Sequence, residues 1–142
     1  MKTVRQILDN KPSNVYSVSP SATVFEALEE MMNKNISALV VMENNQLKGI
    51  FTERDYARKI ALKGKSSKDT PVSEIMTAEL ITVSPTDTID YCMNIITERH
   101  IRHLPVMENN RICGMVSIGD VVKSIIEIQQ STIQQLESYI NS

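Results

Sequence analysis

Displaced by 65 residues, the chain superimposes on itself. Val18-Ser-Pro20 falls on Val83-Ser-Pro85, and Val41-Met-Glu-Asn-Asn45 falls on Val106-Met-Glu-Asn-Asn110. The register runs on without a gap, pairing Ile36 with Ile101, Gly49 with Gly114 and Asp55 with Asp120. From Val18 to Ile60, 14 of 43 positions match their partners, where unrelated sequence of ordinary composition gives about 3. One supersecondary unit is therefore built twice.

Neither copy alone carries enough core to stand comfortably. Together, 142 residues do, because a chain of that length buries roughly two-thirds of its unfolded surface. A hydrophobic content of 42% and a charged content of 23% match ordinary globular proteins. The net charge of −2 gives no broad attraction to nucleic acid or anionic lipid. The opening Met1-Lys-Thr-Val-Arg-Gln is too polar for a secretory signal, and no apolar run reaches membrane-spanning length. Cys92 and Cys113 do not share a repeat position, their partners being Ala27 and Lys48. The expectation is two free thiols in a reducing cytoplasm, with a disulfide as the alternative.

The periodicities predict the same element order in both copies. Val15 to Val18 forms a brief strand. Thr23 and Glu26 make a capping box ahead of Val24, Ala27, Leu28, Met31 and Met32, whose helical spacing carries a helix to about Lys34. Ile36 to Met42 is a strand covered on both faces, Glu43 to Gln46 a turn, Leu47 to Thr52 a returning strand, and Glu53 to Leu62 a second helix. The second copy repeats this with a strand near Leu80 to Val83, a helix from Thr88, strands over Ile101 to Met107 and Ile112 to Ser117, and a helix from about Gly119. Val4 and Ile7 of a short N-terminal segment answer Val72 and Ile75. The expected class is α+β: two pseudo-symmetric β-α-β-β-α units packed sheet to sheet, with a C-terminal helical extension. The expected boundaries are 1–65, 66–126 and 127–142.

The Val-Ser-Pro openings, Arg-His-Leu-Pro-Val at 102 to 106, and Gly-x-x-(Ser/Thr)-x-x-Asp at 49 to 55 and 114 to 120 resemble tandem cystathionine-β-synthase-type (CBS) domains. The resemblance covers essentially the whole chain and implies a stand-alone pair, a Bateman module. It implies a non-catalytic energy-sensing regulator that binds AMP, ADP, ATP, NAD(H) or S-adenosylmethionine in clefts between the two domains. It also implies a homodimer acting on a partner protein, with no nucleic acid or membrane involved.

Thr52 and Asp55, like Ser117 and Asp120, place a hydroxyl and a carboxylate on the first turn of a helix. Free N–H groups and the positive end of the helix dipole there suit a phosphate, and a carboxylate suits a ribose diol. The same spacing is also a capping box in its own right. By the resemblance, Asp55 and Asp120 hold ribose, and Thr52 and Ser117 meet ribose or phosphate oxygens. Ser17, Ser37 and Ala38 in one copy, and Thr82, Arg102, His103 and Pro105 in the other, frame the adenine. Family sites mix the domains, which pairs Asp120 with Ser37, and Asp55 with Arg102 and His103. Arg54, Arg102 and His103 would then favour a polyphosphate in one cleft, unless the arginines are solvated surface charges.

His100 and His103 straddle a helix-to-strand junction without a third ligand, so no metal is expected. No nucleophile, base and oxyanion site come together, so no catalytic residue is assigned. Val122, Ile126, Gln129, Ile133, Leu136 and Ile140 form a seam at alternating spacings of 4 and 3 that joins protomers or docks a partner helix. The bland alternative packs this helix back on its own module. A structural dimerisation module without a ligand is the alternative function.

Overall fold

The repeat folds as two units of the same construction in a computed structural model that describes residues 2–11 and 15–141. The elements in chain order are α1 (Val4–Asp9), β1 (Ser17–Val18), α2 (Val24–Lys34), β2 (Ala38–Glu43), β3 (Gln46–Thr52), α3 (Glu53–Asp55) running into a π-helical stretch (Tyr56–Ala61), α4 (Val72–Ile75), α5 (Ile89–Arg99), β4 (His103–Glu108), β5 (Arg111–Ser117) and α6 (Ile118–Ile140). One unit holds 15–81 and 109–112. The other holds 2–11, 82–108 and 113–141.

In the first-repeat unit β1 lies parallel to β2, and β2 lies antiparallel to β3. Asn44 and Asn45 close the hairpin with φ of 52° and 63°, the double left-handed turn that matches strand twist and that asparagine tolerates. Thr23 Oγ1 accepts the Glu26 N–H at 3.1 Å to start α2. Asn35 ends that helix in the left-handed region. Val24, Ala27 and Met31 of α2, Leu39 and Val41 of β2, Phe51, Ile60, and Val72 and Ile75 of α4 make one buried cluster.

The second repeat reuses each device. Thr88 Oγ1 accepts the Tyr91 N–H at 3.1 Å, His100 closes α5 in the left-handed region, and Asn109 and Asn110 turn the β4–β5 hairpin. The first strand differs. Instead of a strand over Leu80 to Val83, Val83 alone bridges Val106. In the first repeat the Val40 N–H donates to Tyr16 O at 3.2 Å. The residue 65 positions after Val40 is Pro105, which has no N–H to donate, so that rung of the ladder cannot form.

The short helices are placed by hydrogen bonds that match one for one. The Val72 N–H of α4 donates to Ala22 O at 2.8 Å, and the Ser73 N–H donates to Pro20 O at 3.0 Å. The Val4 N–H of α1 donates to Asp87 O and the Arg5 N–H to Pro85 O, both at 2.9 Å. Thus α4 completes the unit of the first repeat, and α1, at the other end of the chain, completes the unit of the second. The repeats run in sequence order, but the compact units exchange these two helices. Gly49 makes room for the close approach: a Cβ there would lie 2.8 Å from Met76 Sδ and 2.9 Å from Thr77 O.

α6 leaves its unit early. Val121 and Ser124 are buried, whereas every described residue from 126 onward is exposed. The seam residues Val122, Ile126, Ile133, Leu136 and Ile140 are all exposed in the single chain, so the helix does not fold back over them.

Candidate functional site

Each repeat brings its Ser/Thr-x-x-Asp motif to the junction of a strand and a helix. The backbone there is the same twice. The Glu53 N–H donates to Ser37 O at 3.2 Å, and the Ile118 N–H donates to Arg102 O at 2.9 Å. These bonds satisfy one of the N–H groups that a helix start otherwise leaves without a partner. Thr52 Oγ1 accepts the Asp55 N–H, and Ser117 Oγ accepts the Asp120 N–H, both at 3.2 Å. Both motifs are capping boxes.

The carboxylates differ. Asp55 is only 6% exposed. Its Oδ2 accepts the Thr52 N–H at 3.0 Å and the Thr52 hydroxyl at 3.1 Å. Its Oδ1 accepts the Thr77 hydroxyl at 3.1 Å and pairs with Lys59 Nζ at 3.0 Å. Lys59 also donates to Ile75 O, at the end of α4, at 3.0 Å. Asp55 thus ties α3, β3 and the residues after α4 together.

Asp120 has a side chain 24% exposed. Its Oδ2 accepts the Ser117 N–H at 2.9 Å and pairs with Lys11 Nζ at 2.8 Å. Lys11 also donates to Met115 O in β5 at 2.9 Å. Burial alone would raise the Asp120 carboxyl, but the Lys11 hydrogen bond and charge, with the Ser117 N–H and hydroxyl, outweigh it and hold it below its ordinary value. His103, half-buried at the start of β4, belongs to the same neighbourhood. Burial lowers its imidazolium first, Arg102 and Lys11 push the same way, and Asp120 opposes them.

Ala38 faces Thr52 across the β2–β3 ladder, and Ser17 faces Val40. Ser37 and Arg54 flank the first junction on exposed positions, and Thr82 precedes the single bridge at Val83. Pro105 is buried in β4. Within its own unit, each repeat sets Ser37 or Arg102 beside the helix that carries its aspartate.

Sequence reasoning missed three groups: Lys11, Lys59 and Thr77. Lys59 stands one helical turn after Asp55, a spacing that could have revealed it. Thr77 is 22 residues from Asp55 and Lys11 is 109 residues from Asp120, so nothing local marks either. Cys92 and Cys113 are free thiols. Burial, with Asp87 adding to it, pushes Cys92 up to about 11, which leaves it unreactive.

The family model of the CBS domain matches this chain twice, over residues 4–62 and 72–127. The chain belongs to the CBS-domain family. It is 46% identical over 123 residues to the CBS domain-containing protein CBSX3, mitochondrial, of Arabidopsis thaliana, a match that covers 83% of this chain and 60% of that protein. The chain therefore spans less than two thirds of that relative's length. A CBS-domain protein from Burkholderia ambifaria MC40-6 superposes with a TM-score of 0.86 at 46% identity, covering 89% of this chain and 95% of the other. The CBS domain pair of protein MJ0100, solved in complex with 5′-methylthioadenosine and S-adenosyl-L-methionine, superposes with a TM-score of 0.76 at 25% identity, covering 88% and 96%. Among the described residues of this CBS pair, no helix is long and apolar enough to cross a membrane.

Proposed function

We propose that this CBS pair is a non-catalytic regulatory module that binds an adenosine nucleotide (AMP, ADP, ATP or an NAD(H)-like ligand) and signals to a partner protein. The second-repeat junction is the principal site. One observation carries this reading: of two equivalent carboxylates, Asp55 is buried under four donors with a side chain 8% exposed, whereas the Asp120 side chain is 24% exposed and takes the Ser117 N–H and Lys11 on Oδ2. A ribose diol needs an ionised acceptor that it can reach, and Asp120 is one. Behind it stands α6, 23 residues long, whose N-terminal dipole and N–H groups suit a phosphate.

In this reading Asp120 takes the ribose hydroxyls and Ser117 meets ribose or phosphate oxygens. Where the resemblance pairs Asp120 with Ser37, this reading instead gives it Thr82, Arg102, His103 and Pro105 of its own repeat around base and phosphate. Thr52, Arg54, Asp55, Ser17, Ser37 and Ala38 form the weaker counterpart in the first repeat. The adenosyl ligands of the MJ0100 pair support the ligand class. Two free thiols fit a reducing compartment such as the cytoplasm.

The test is a thermal-shift panel of AMP, ADP, ATP, NADH and adenosine. A ligand at 100 times its dissociation constant adds about 2.7 kcal/mol of stability, and Asp120→Asn removes the gain. No shift across the panel leaves the scaffold reading, which the exposed α6 seam favours. Ile126, Ile133 and Ile140 at one seam position, with Val122, Gln129 and Leu136 at the other, is the pattern of a parallel two-stranded coiled coil. Under either reading light scattering is expected to give a homodimer, and Leu136→Glu is expected to shift it to monomer.

A further inference from the structure

We propose that Lys11 is a phosphate-selecting latch at the second-repeat junction: without ligand its ammonium holds the Asp120 carboxylate, and a nucleotide whose ribose claims that carboxylate draws the ammonium onto its phosphate. The inference rests on the nucleotide reading above and adds to it a residue from outside both repeat motifs. It starts from geometry. Lys11 Nζ lies 2.8 Å from Asp120 Oδ2 and 2.9 Å from Met115 O, so the carboxylate that must grip a sugar already carries a cation. The Ser117 N–H occupies the same oxygen. A diol bound across the carboxylate finds Lys11 on Oδ2.

Adenosine has nothing to offer in exchange for the ion pair it disturbs. AMP carries its own anion, and a lysine on a flexible four-carbon stem can transfer its charge without a fixed fork geometry. The pair is partly exposed, with Lys11 at 31%, so the exchange leaves no buried charge unpaired. The first repeat lacks the device. Matching α1 to α4 puts Glu79 where Lys11 stands, and the lysine beside Asp55 comes from its own helix and is tied to Ile75 O. Selection by phosphate therefore belongs to one junction. Because Lys11 stands two residues past the end of α1, the exchange also frees this point of the N-terminal segment from Asp120 and Met115.

The test compares adenosine with AMP, which share base and ribose, by isothermal titration calorimetry on the full chain. Wild-type protein prefers AMP. Lys11→Met raises adenosine affinity, lowers AMP affinity and reduces the AMP-to-adenosine ratio about tenfold. Lys11→Arg keeps much of the ratio, and Lys48→Met, on the exposed edge of β3, keeps all of it. A ratio unchanged in Lys11→Met while both ligands still bind overturns the latch and leaves the nucleotide site standing. Failure of both ligands to bind wild-type protein overturns the site and the latch together. NMR titration of the Asp120 carboxyl in the apo protein reports the latch without any ligand. Lys11→Met moves its titration toward the ordinary carboxylate value, and no movement overturns the ion pair on which the latch depends.

Discussion

Two junctions of the same backbone design carry different chemistry. At the first, Asp55 is sealed by Thr52, Thr77 and Lys59. At the second, Asp120 is more exposed and receives Ser117 and Lys11 on one oxygen. Duplication supplies two scaffolds, and a few side chains make the two carboxylates unequal. In the proposed reading capping and nucleotide binding are not rivals: both motifs cap their helix, and the more accessible one is assigned the ligand.

The strongest way to break this comparison is to remove the two carboxylates in turn. Asp55→Ala leaves the part-buried Thr52 and Thr77 donors without their acceptor and removes a cap, so it costs about 2 kcal/mol. Asp120→Ala loses one cap and a part-exposed ion pair, so it costs about 1 kcal/mol. Urea denaturation measures both, and equal losses would refute the division of labour. Next come the matched glycines. Gly49→Ala drives a methyl against the Thr77 carbonyl and Met76, costing about 2 kcal/mol. At Gly114 the obstacle is the tip of the Leu8 side chain, which can rotate, so Gly114→Ala costs less than about 1 kcal/mol.

A smaller effect is tied to pH. His103 is held toward its neutral form in the folded protein by burial, Arg102 and Lys11. The unfolded chain therefore binds the extra proton more readily, and stability falls as the pH drops below about 6.5. His103→Gln flattens the profile there. Asp120, held low when folded, gives up its contribution only below about pH 4, so the two windows separate in a pH series of melting curves. The least effect is expected from the surface pairs Lys2–Glu127 and Arg5–Glu108. Arg5→Ala should change stability by less than about 0.5 kcal/mol, and a larger loss would mean that α1 is held by charge more than by Val4 and Ile7.

Much of this was legible in the chain. The register that pairs Gly49 with Gly114 also pairs the helix caps Thr23 and Thr88, the Asn-Asn turns and the two capping boxes, because each is a local pattern read within four residues. What escaped was non-local. Val4 and Ile7 visibly answer Val72 and Ile75, but nothing in that match says which repeat each pair will complete. Pro105 announces a missing donor only once the Val40 rung beside it is known. Lys11 and Asp120 meet across 109 residues, a distance at which spacing carries no information. The motif residues Thr52, Asp55, Ser117 and Asp120 stand at the two junctions, but the lysines that distinguish those junctions, Lys11 and Lys59, lie outside the motifs.

The exchanged short helices have a consequence for how the molecule comes into being. Residues 2–11 are synthesised well before the groups they bind, the acceptors at Pro85 and Asp87 and the Met115 and Asp120 groups that receive Lys11. This segment must wait as an unfinished strap while the first repeat closes on its own short helix. Completion then comes in a late step of large sequence separation, the kind that slows folding. A nascent chain arrested near residue 81 should already protect Val24 and Phe51 from exchange while Val4 stays open.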